Sequence, residues 1–127
     1  MKLKTIALVR NGVTEAPENW NKVTSKLVFK KEYAEGLHKL SHFKHIWVIF
    51  GFHRSKVTLL RVHPRRDPSI PIVGVFASCS PTRPNKLGLT LVELVSVKKN
   101  IVTTRGLDAL DGSPVFDIKP LEDEIDY

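Results

Sequence analysis

A chain of 127 residues has the length of one domain, and 42% hydrophobic with 26% charged residues is the balance of an ordinary globular protein. No apolar run reaches the roughly 18 residues of a membrane span. The opening "MKLKTIALVRNG" has neither the apolar length nor the small-residue cleavage site of a signal peptide. A single cysteine closes no internal disulfide, which fits a reducing cytoplasm. The formal charge is +7 and unevenly placed: residues 108–127 hold seven acids against Lys119, a net −6, so residues 1–107 carry +13. So basic a body points to a polyanionic partner, most simply nucleic acid. The closing "LEDEIDY" (121–127) reads as a solvated acidic tail, or as a segment that docks on a basic patch of a second subunit.

In chain order, "LKTIALVR" alternates as a strand does, with Leu3, Thr5, Ala7 and Val9 on one side. The polar stretch 11–24, "NGVTEAPENWNKVT", is a loop long enough to suggest function. "SKLVFK" is a short strand, and "KEYAEGLHKLSHF" places Tyr33, Leu37 and Leu40 at helical spacing, predicting one short amphipathic helix. "HIWVIFGFH" (45–53) is almost wholly apolar and reads as a central strand covered on both faces. "KVTLLRV", "IPIVGVFA", "LGLTLVELVSV", "NIVTTRGL" and "SPVFDIK" bring the strand candidates to about eight, separated by turn signals such as "HPRRDP" and "LDGSP". Many short strands and one helix predict a mainly β fold. The expected form is a small closed or nearly closed barrel of about eight strands, in one domain spanning 1–127.

Common site signatures are missing. There is no phosphate-binding G-x-x-x-x-G-K-[ST] and no G-x-G-x-x-G after a strand. His38, His42, His45 and His53 have no cysteine or carboxylate at ligand spacing, so no metal site is expected, and packing at helix and strand ends accounts for them. Cys79 beside Arg83 has the setting of an activated thiol, but a small buried side chain in a tight turn is the simpler expectation.

Two segments carry more. In "GVFASCSPTRPNKLGLTLVEL" (74–94), Pro81 and Pro84 stiffen an elbow between two strands, so that Arg83 is expected to project a planar fork toward phosphate or carboxylate. Asn85 offers both donor and acceptor, and Gly88 permits close backbone approach. In "GLDALDGSPVFDIKP", Asp108 and Asp111 bracket a turn, with Gly112 suited to a positive φ. By itself, D-G is most simply a hairpin turn.

Taken together with "HFKHIWVIFGFH", these segments resemble the TrmO/TsaA-like family of β-barrel tRNA methyltransferases, over about residues 40–121. The pairing of R-P-N-x-x-G with a downstream D-G-[ST]-P-V-x-D-I-K-P is the specific part of the likeness. The resemblance implies an S-adenosylmethionine-dependent homodimer that binds the cofactor near the subunit interface, while the residues themselves point to no metal and no membrane attachment. It also implies methylation of the exocyclic nitrogen of threonylcarbamoyl-adenosine beside the anticodon, and a chain ending just past the barrel is expected to be the barrel-only form. It carries cofactor contacts onto His53, Arg54, Leu94, Asp108, Ala109, Leu110 and Asp111. The elbow residues Cys79, Ser80, Arg83, Pro84, Asn85 and Gly88 are expected to line the same pocket or to position RNA. Arg61, Arg65, Arg66, Arg83 and Lys86 are expected to meet RNA phosphates. Methyl transfer to an amide-like nitrogen needs proton removal, for which Asp111 and His53 are both candidates.

The chain departs from the family pattern in three places. Cys79 stands where an arginine is usual, Lys86 replaces a proline, and "EAPENW" occupies the early loop in place of a Pro-Arg-Gln segment. Two other functions are compatible with the residues: a non-catalytic RNA-binding barrel with a decayed cofactor pocket, in which Trp20, Trp47 or Phe52 stack on bases, and a methyltransferase with another acceptor.

Overall fold

The structure, a computed structural model, describes residues 1–126; Tyr127, the end of the expected acidic tail, lies outside them. Eight strands follow in chain order: β1 (Ala7–Arg10), β2 (Thr24–Phe29), β3 (His45–Gly51), β4 (Arg61–Val62), β5 (Val73–Gly74), β6 (Leu87–Lys98), β7 (Ile101–Arg105) and β8 (Pro114–Pro120). Six of them close an antiparallel barrel in the order β1-β2-β7-β6-β3-β8, while β4 and β5 pair only with each other. The barrel therefore has fewer strands than the eight candidates suggest. "KVTLLRV" and "IPIVGVFA" contribute only a two-residue ladder, Arg61 opposite Gly74 and Val62 opposite Val73, and form a flap outside the barrel.

Side-chain alternation fills the interior. Ala7 and Val9, Leu27 and Phe29, Ile46, Val48 and Phe50, Val92, Val102 and Val115 all point inward and are buried. The expectation that β3 is covered on both faces is corrected here. Its inward residues are buried, but Trp47 and Ile49 on the outer face are only half-buried. A small barrel has one interior, so an apolar run along a strand leaves half its side chains outside.

The predicted amphipathic helix is present as 3₁₀ turns, Lys31–Leu37 and Leu40–His42. Leu37 and Leu40 are buried and Tyr33 packs against the core, so the apolar stripe works as expected. The coil breaks where Lys39 takes a positive φ of 67°. The acidic tail is not simply solvated. A turn at Glu122–Glu124 puts Glu124 against His45, its Oε1 accepting from the His45 backbone N–H at 2.9 Å and its Oε2 lying 3.2 Å from Nδ1.

Candidate active site

The site forms where the chain leaves β3. The Phe52 N–H donates to the Lys86 carbonyl at 2.9 Å, and the chain then runs alongside the elbow. Ser55 Oγ donates to the Pro81 carbonyl at 2.9 Å, the Leu59 N–H to the Thr82 carbonyl at 2.9 Å, and Lys86 Nζ to the Val57 carbonyl at 2.6 Å. Residues 52–60 and the elbow are thus laced together over the end of the barrel. Under them lies a cleft of about 280 Å³. Phe50 and Phe52, stacked edge to face with centroids 5.3 Å apart, give it an apolar floor. Its walls are His53–Val57 on one side, Pro81 and Thr82 of the elbow on a second, Asp108, Ala109, Leu110 and Ser113 on a third, and Arg66 of the flap above. A larger hollow of about 600 Å³ lies beside the 3₁₀ coil, lined by Ala34, Glu35, Leu37, His38, Val97 and Lys99, away from all of these groups.

The turn before β8 is held by the early loop. Asp111 Oδ1 accepts the backbone N–H groups of Asn11 at 2.9 Å and Gly12 at 3.1 Å, and Arg10 stands 3.9 Å from Oδ2. Those two N–H groups, with Arg10 and Arg54 near by, hold the Asp111 carboxyl below its ordinary value. Asn11 locks the other side, its Nδ2 donating to the Ala109 carbonyl at 2.9 Å and to Ser25 Oγ at 3.0 Å. Gly112 takes the positive φ of 85° that the turn requires. Arg54 also ties down the early loop, donating to the Thr14 carbonyl at 2.7 Å. Asp108 Oδ1 accepts from the Thr90 hydroxyl on β6. His53 is pushed below the ordinary histidine value, first by burial and then by the cations Arg54 and Lys56, against the opposing pull of Asp111.

Of the residues singled out from sequence, His53, Arg54, Asp108, Ala109 and Leu110 line one cleft, and Asp111 braces its wall. Leu94 does not join them. It sits on β6 six residues past Gly88, about 20 Å along the strand, and packs on the core near Lys44, whose carbonyl its N–H meets at 2.8 Å. Arg83 does not project. Its Nη1 turns back onto the carbonyls of Val75, Ser78 and Ser80 at 3.1, 2.7 and 3.3 Å, with the guanidinium 5.8 Å from the centre of the Phe76 ring. An arginine in a tight turn finds bare carbonyls closer than any outside ligand, and here it clips the elbow. Lys86 likewise spends its ammonium on Val57 and Thr58. Gly88 does allow a close approach, but of a ring. A Cβ there would stand 2.5 Å from Phe50 Cζ. Cys79 is exposed, contrary to the expected buried thiol.

The elbow reaches the cleft through Pro81 and Thr82 rather than through Cys79, Ser80, Pro84 or Asn85. Ser80 Oγ instead bonds Thr82 Oγ1 at 2.8 Å, and Pro84 and Asn85 are exposed. Arg61, Arg65 and Arg66 are exposed on the flap, the last two at positive φ of 57°. Ser113, Lys56 and Phe52 line the cleft without having been singled out as its residues. The D-G-S-P motif held the signal for Ser113. Among the described residues no three His, Cys, Asp or Glu side chains gather as a metal site would need, and no helix is long and apolar enough to cross a membrane.

This barrel, with its laced cleft and early-loop brace, can be set beside known proteins. Residues 3–127 match the family model of the tRNA-methyltransferase O N-terminal domain. The chain belongs to that family. An S-adenosyl-L-methionine-binding protein of Archaeoglobus fulgidus is 40% identical over 99% of this chain and 93% of its own length. The mouse tRNA (adenine(37)-N6)-methyltransferase is 42% identical over 64% of this chain but only 19% of the mouse protein. The crystal structure of TrmO from Pseudomonas aeruginosa superposes with a TM-score of 0.77 at 29% identity, over 95% of this chain and 55% of that one. The chain thus spans little more than half of the solved TrmO chain and a fifth of the mouse enzyme.

Proposed function

We propose that this chain is an S-adenosylmethionine-dependent tRNA methyltransferase. Its acceptor is the exocyclic nitrogen of threonylcarbamoyl-adenosine beside the anticodon, and it works as a cytoplasmic homodimer. The observation that carries this is the convergence of His53, Arg54, Asp108, Ala109 and Leu110 on one cleft in a chain whose residues 3–127 match the family.

The residues suit the cofactor. Phe52, backed by the buried Phe50, offers a purine an apolar surface, the backbone of 108–110 can read its edge, and the Asp108 carboxylate can take ribose hydroxyls or the methionyl amine. Bound there, S-adenosylmethionine supplies an electrophilic methyl group on a sulfonium. The chain's own part is to take up the N–H proton that the acceptor nitrogen must give up as it is methylated. His53 suits that task, because partial desolvation and the neighbouring Arg54 and Lys56 cations favour its neutral form, which has a lone pair to offer. Asp111 suits it less, since Oδ1 is engaged by two backbone donors and its carboxyl is made more acidic, not more basic. Its role in this reading is to brace the early loop. Arg66 above the cleft, with Arg61 and Arg65 on the same flap, gives RNA phosphates a contact surface.

The dimer has support on the outer face of the barrel. In the β3–β6 register Trp47 lies opposite Leu91 and Ile49 opposite Leu89, and Leu87, Leu89, Leu91 and Val95 are all exposed. A second copy covering this stripe would bury what the barrel leaves outside.

Calorimetric titration with S-adenosylmethionine tests the reading. Saturable binding is expected, with stabilisation of about 2.7 kcal/mol at 100 times the dissociation constant. No heat and no shift in melting would favour an RNA-binding barrel without the cofactor.

A further inference from the structure

Imidazole in water prefers to carry its single proton on Nε2, which leaves the lone pair on Nδ1, the nitrogen nearer the main chain. A histidine that must accept a proton at its outer nitrogen therefore needs something to hold the proton on Nδ1. In this cleft that partner is a hydroxyl. His53 Nδ1 lies 3.3 Å from Ser113 Oγ. Ser113 Oγ has one proton to give, and it is directed at the Leu110 carbonyl, 2.7 Å away. Toward His53 the hydroxyl can therefore only accept, so the bond is Nδ1–H to Oγ. Nε2 is left with its lone pair, and among the described residues it has no hydrogen-bond partner.

The hydroxyl is itself fixed. Ser113 is 2% exposed, its backbone N–H bonds the same Leu110 carbonyl at 3.1 Å, and its own carbonyl accepts the Val9 N–H at 2.9 Å. Gly112 is adjacent to the ring but does not crowd it: a Cβ at that position would stand 3.7 Å from Nε2, an ordinary contact. Arg54, Lys56 and Asp111 are the charged groups around His53, and none of them is bonded to either ring nitrogen.

We propose that Ser113 is a positioning residue: it locks His53 in the Nδ1–H tautomer, so that Nε2 is the nitrogen that takes the proton from the acceptor. This rests on the reading of His53 as the base. Nitrogen NMR of the ligand-free protein with ¹⁵N-labelled histidine, at mildly alkaline pH, tests the lock directly. The parent should show His53 with Nδ1 protonated and Nε2 bare. Ser113→Ala should move the proton to Nε2, and Ser113→Thr should keep it on Nδ1. In single-turnover methyl transfer Ser113→Ala should be slowed about 10- to 100-fold, as when a group that orients a histidine is lost, with Ser113→Thr restoring most of the rate. The spectrum is read on the folded fraction, so a lowered melting temperature of Ser113→Ala does not mask it. A parent spectrum showing Nε2–H, or the same tautomer in Ser113→Ala, overturns the lock. A shifted tautomer with an unchanged rate overturns its part in the reaction. A parent that shows the lock yet transfers no methyl group contradicts the underlying reading of His53.

Discussion

Substituting Gly88→Ala should damage this protein through one ring. Gly88 on β6 lies opposite Phe50 on β3, and an added Cβ would meet three Phe50 ring atoms at 2.5, 2.7 and 2.8 Å. Ordinary carbon contacts begin about a full ångström further out. The ring has little room to retreat, because Phe50 is 1% exposed and Phe52 stacks against it at 5.3 Å. Overpacking of this kind costs about 1–3 kcal/mol, and about 2 kcal/mol in a domain of this size lowers the melting temperature by roughly 6–10 °C. Phe50 and Phe52 also floor the cleft, so S-adenosylmethionine affinity should fall with stability. Thermal melts and calorimetry of Gly88→Ala, Phe50→Leu and the double variant provide the assay. Removing the ring should relieve the clash, leaving the double variant at least about 1 kcal/mol more stable than the sum of the single effects. A Gly88→Ala protein melting within a degree of the parent, or strictly additive effects, would refute the reasoning.

Asp111→Ala should raise hydrogen-exchange rates at the Asn11 and Gly12 amides, which donate to its Oδ1, while amides in the middle of β3 stay protected. The Asp111 folded pKa is depressed, so its contribution to stability is present above the ordinary aspartate value of about 3.9 and is lost as pH falls through the lower folded value. Asp111→Asn should accordingly flatten that part of the acid-unfolding curve, and an unchanged curve would remove the brace. Arg83→Ala should lower the melting temperature and leave the salt dependence of RNA binding intact, because Nη1 serves elbow carbonyls, whereas Arg66→Ala should reduce the salt slope by about one. The opposite pattern would return Arg83 to the RNA surface. Leu89→Asp, at a side chain 63% exposed on the outer stripe, should give a folded monomer by light scattering, and a dimer that survives it would place the interface elsewhere.

All eight strand segments were legible in the sequence because their apolar and β-branched runs are bounded by turn residues, but how many joined the barrel was not. Leu59, Leu60 and Ile72 look like strand core and instead lie exposed on or beside the flap. The cleft was legible as two motifs, since His53-Arg54 and Asp108–Leu110 sit in short, distinctive stretches. Arg83 and Lys86 were misplaced for a common reason: a sequence shows a cation but not the backbone carbonyls that a tight turn sets beside it. Leu94 stands apart from the cleft for a different reason, because nothing in a strand's sequence says which of its ends lies beside it. Ser113 stood within a recognised motif, yet its bond to His53 spans 60 positions and emerges only when β3 and β8 pair.

The central claim is methyl transfer to a specific RNA nitrogen. Single-turnover transfer from methyl-labelled S-adenosylmethionine, run on one tRNA with and without the threonylcarbamoyl group beside the anticodon, tests it most directly. Label is expected only on the modified tRNA, at the exocyclic nitrogen of that nucleoside, with the rate about 100-fold lower or more in His53→Gln. Label on both tRNAs, on neither, or on the modified tRNA at an undiminished rate in His53→Gln would contradict the account.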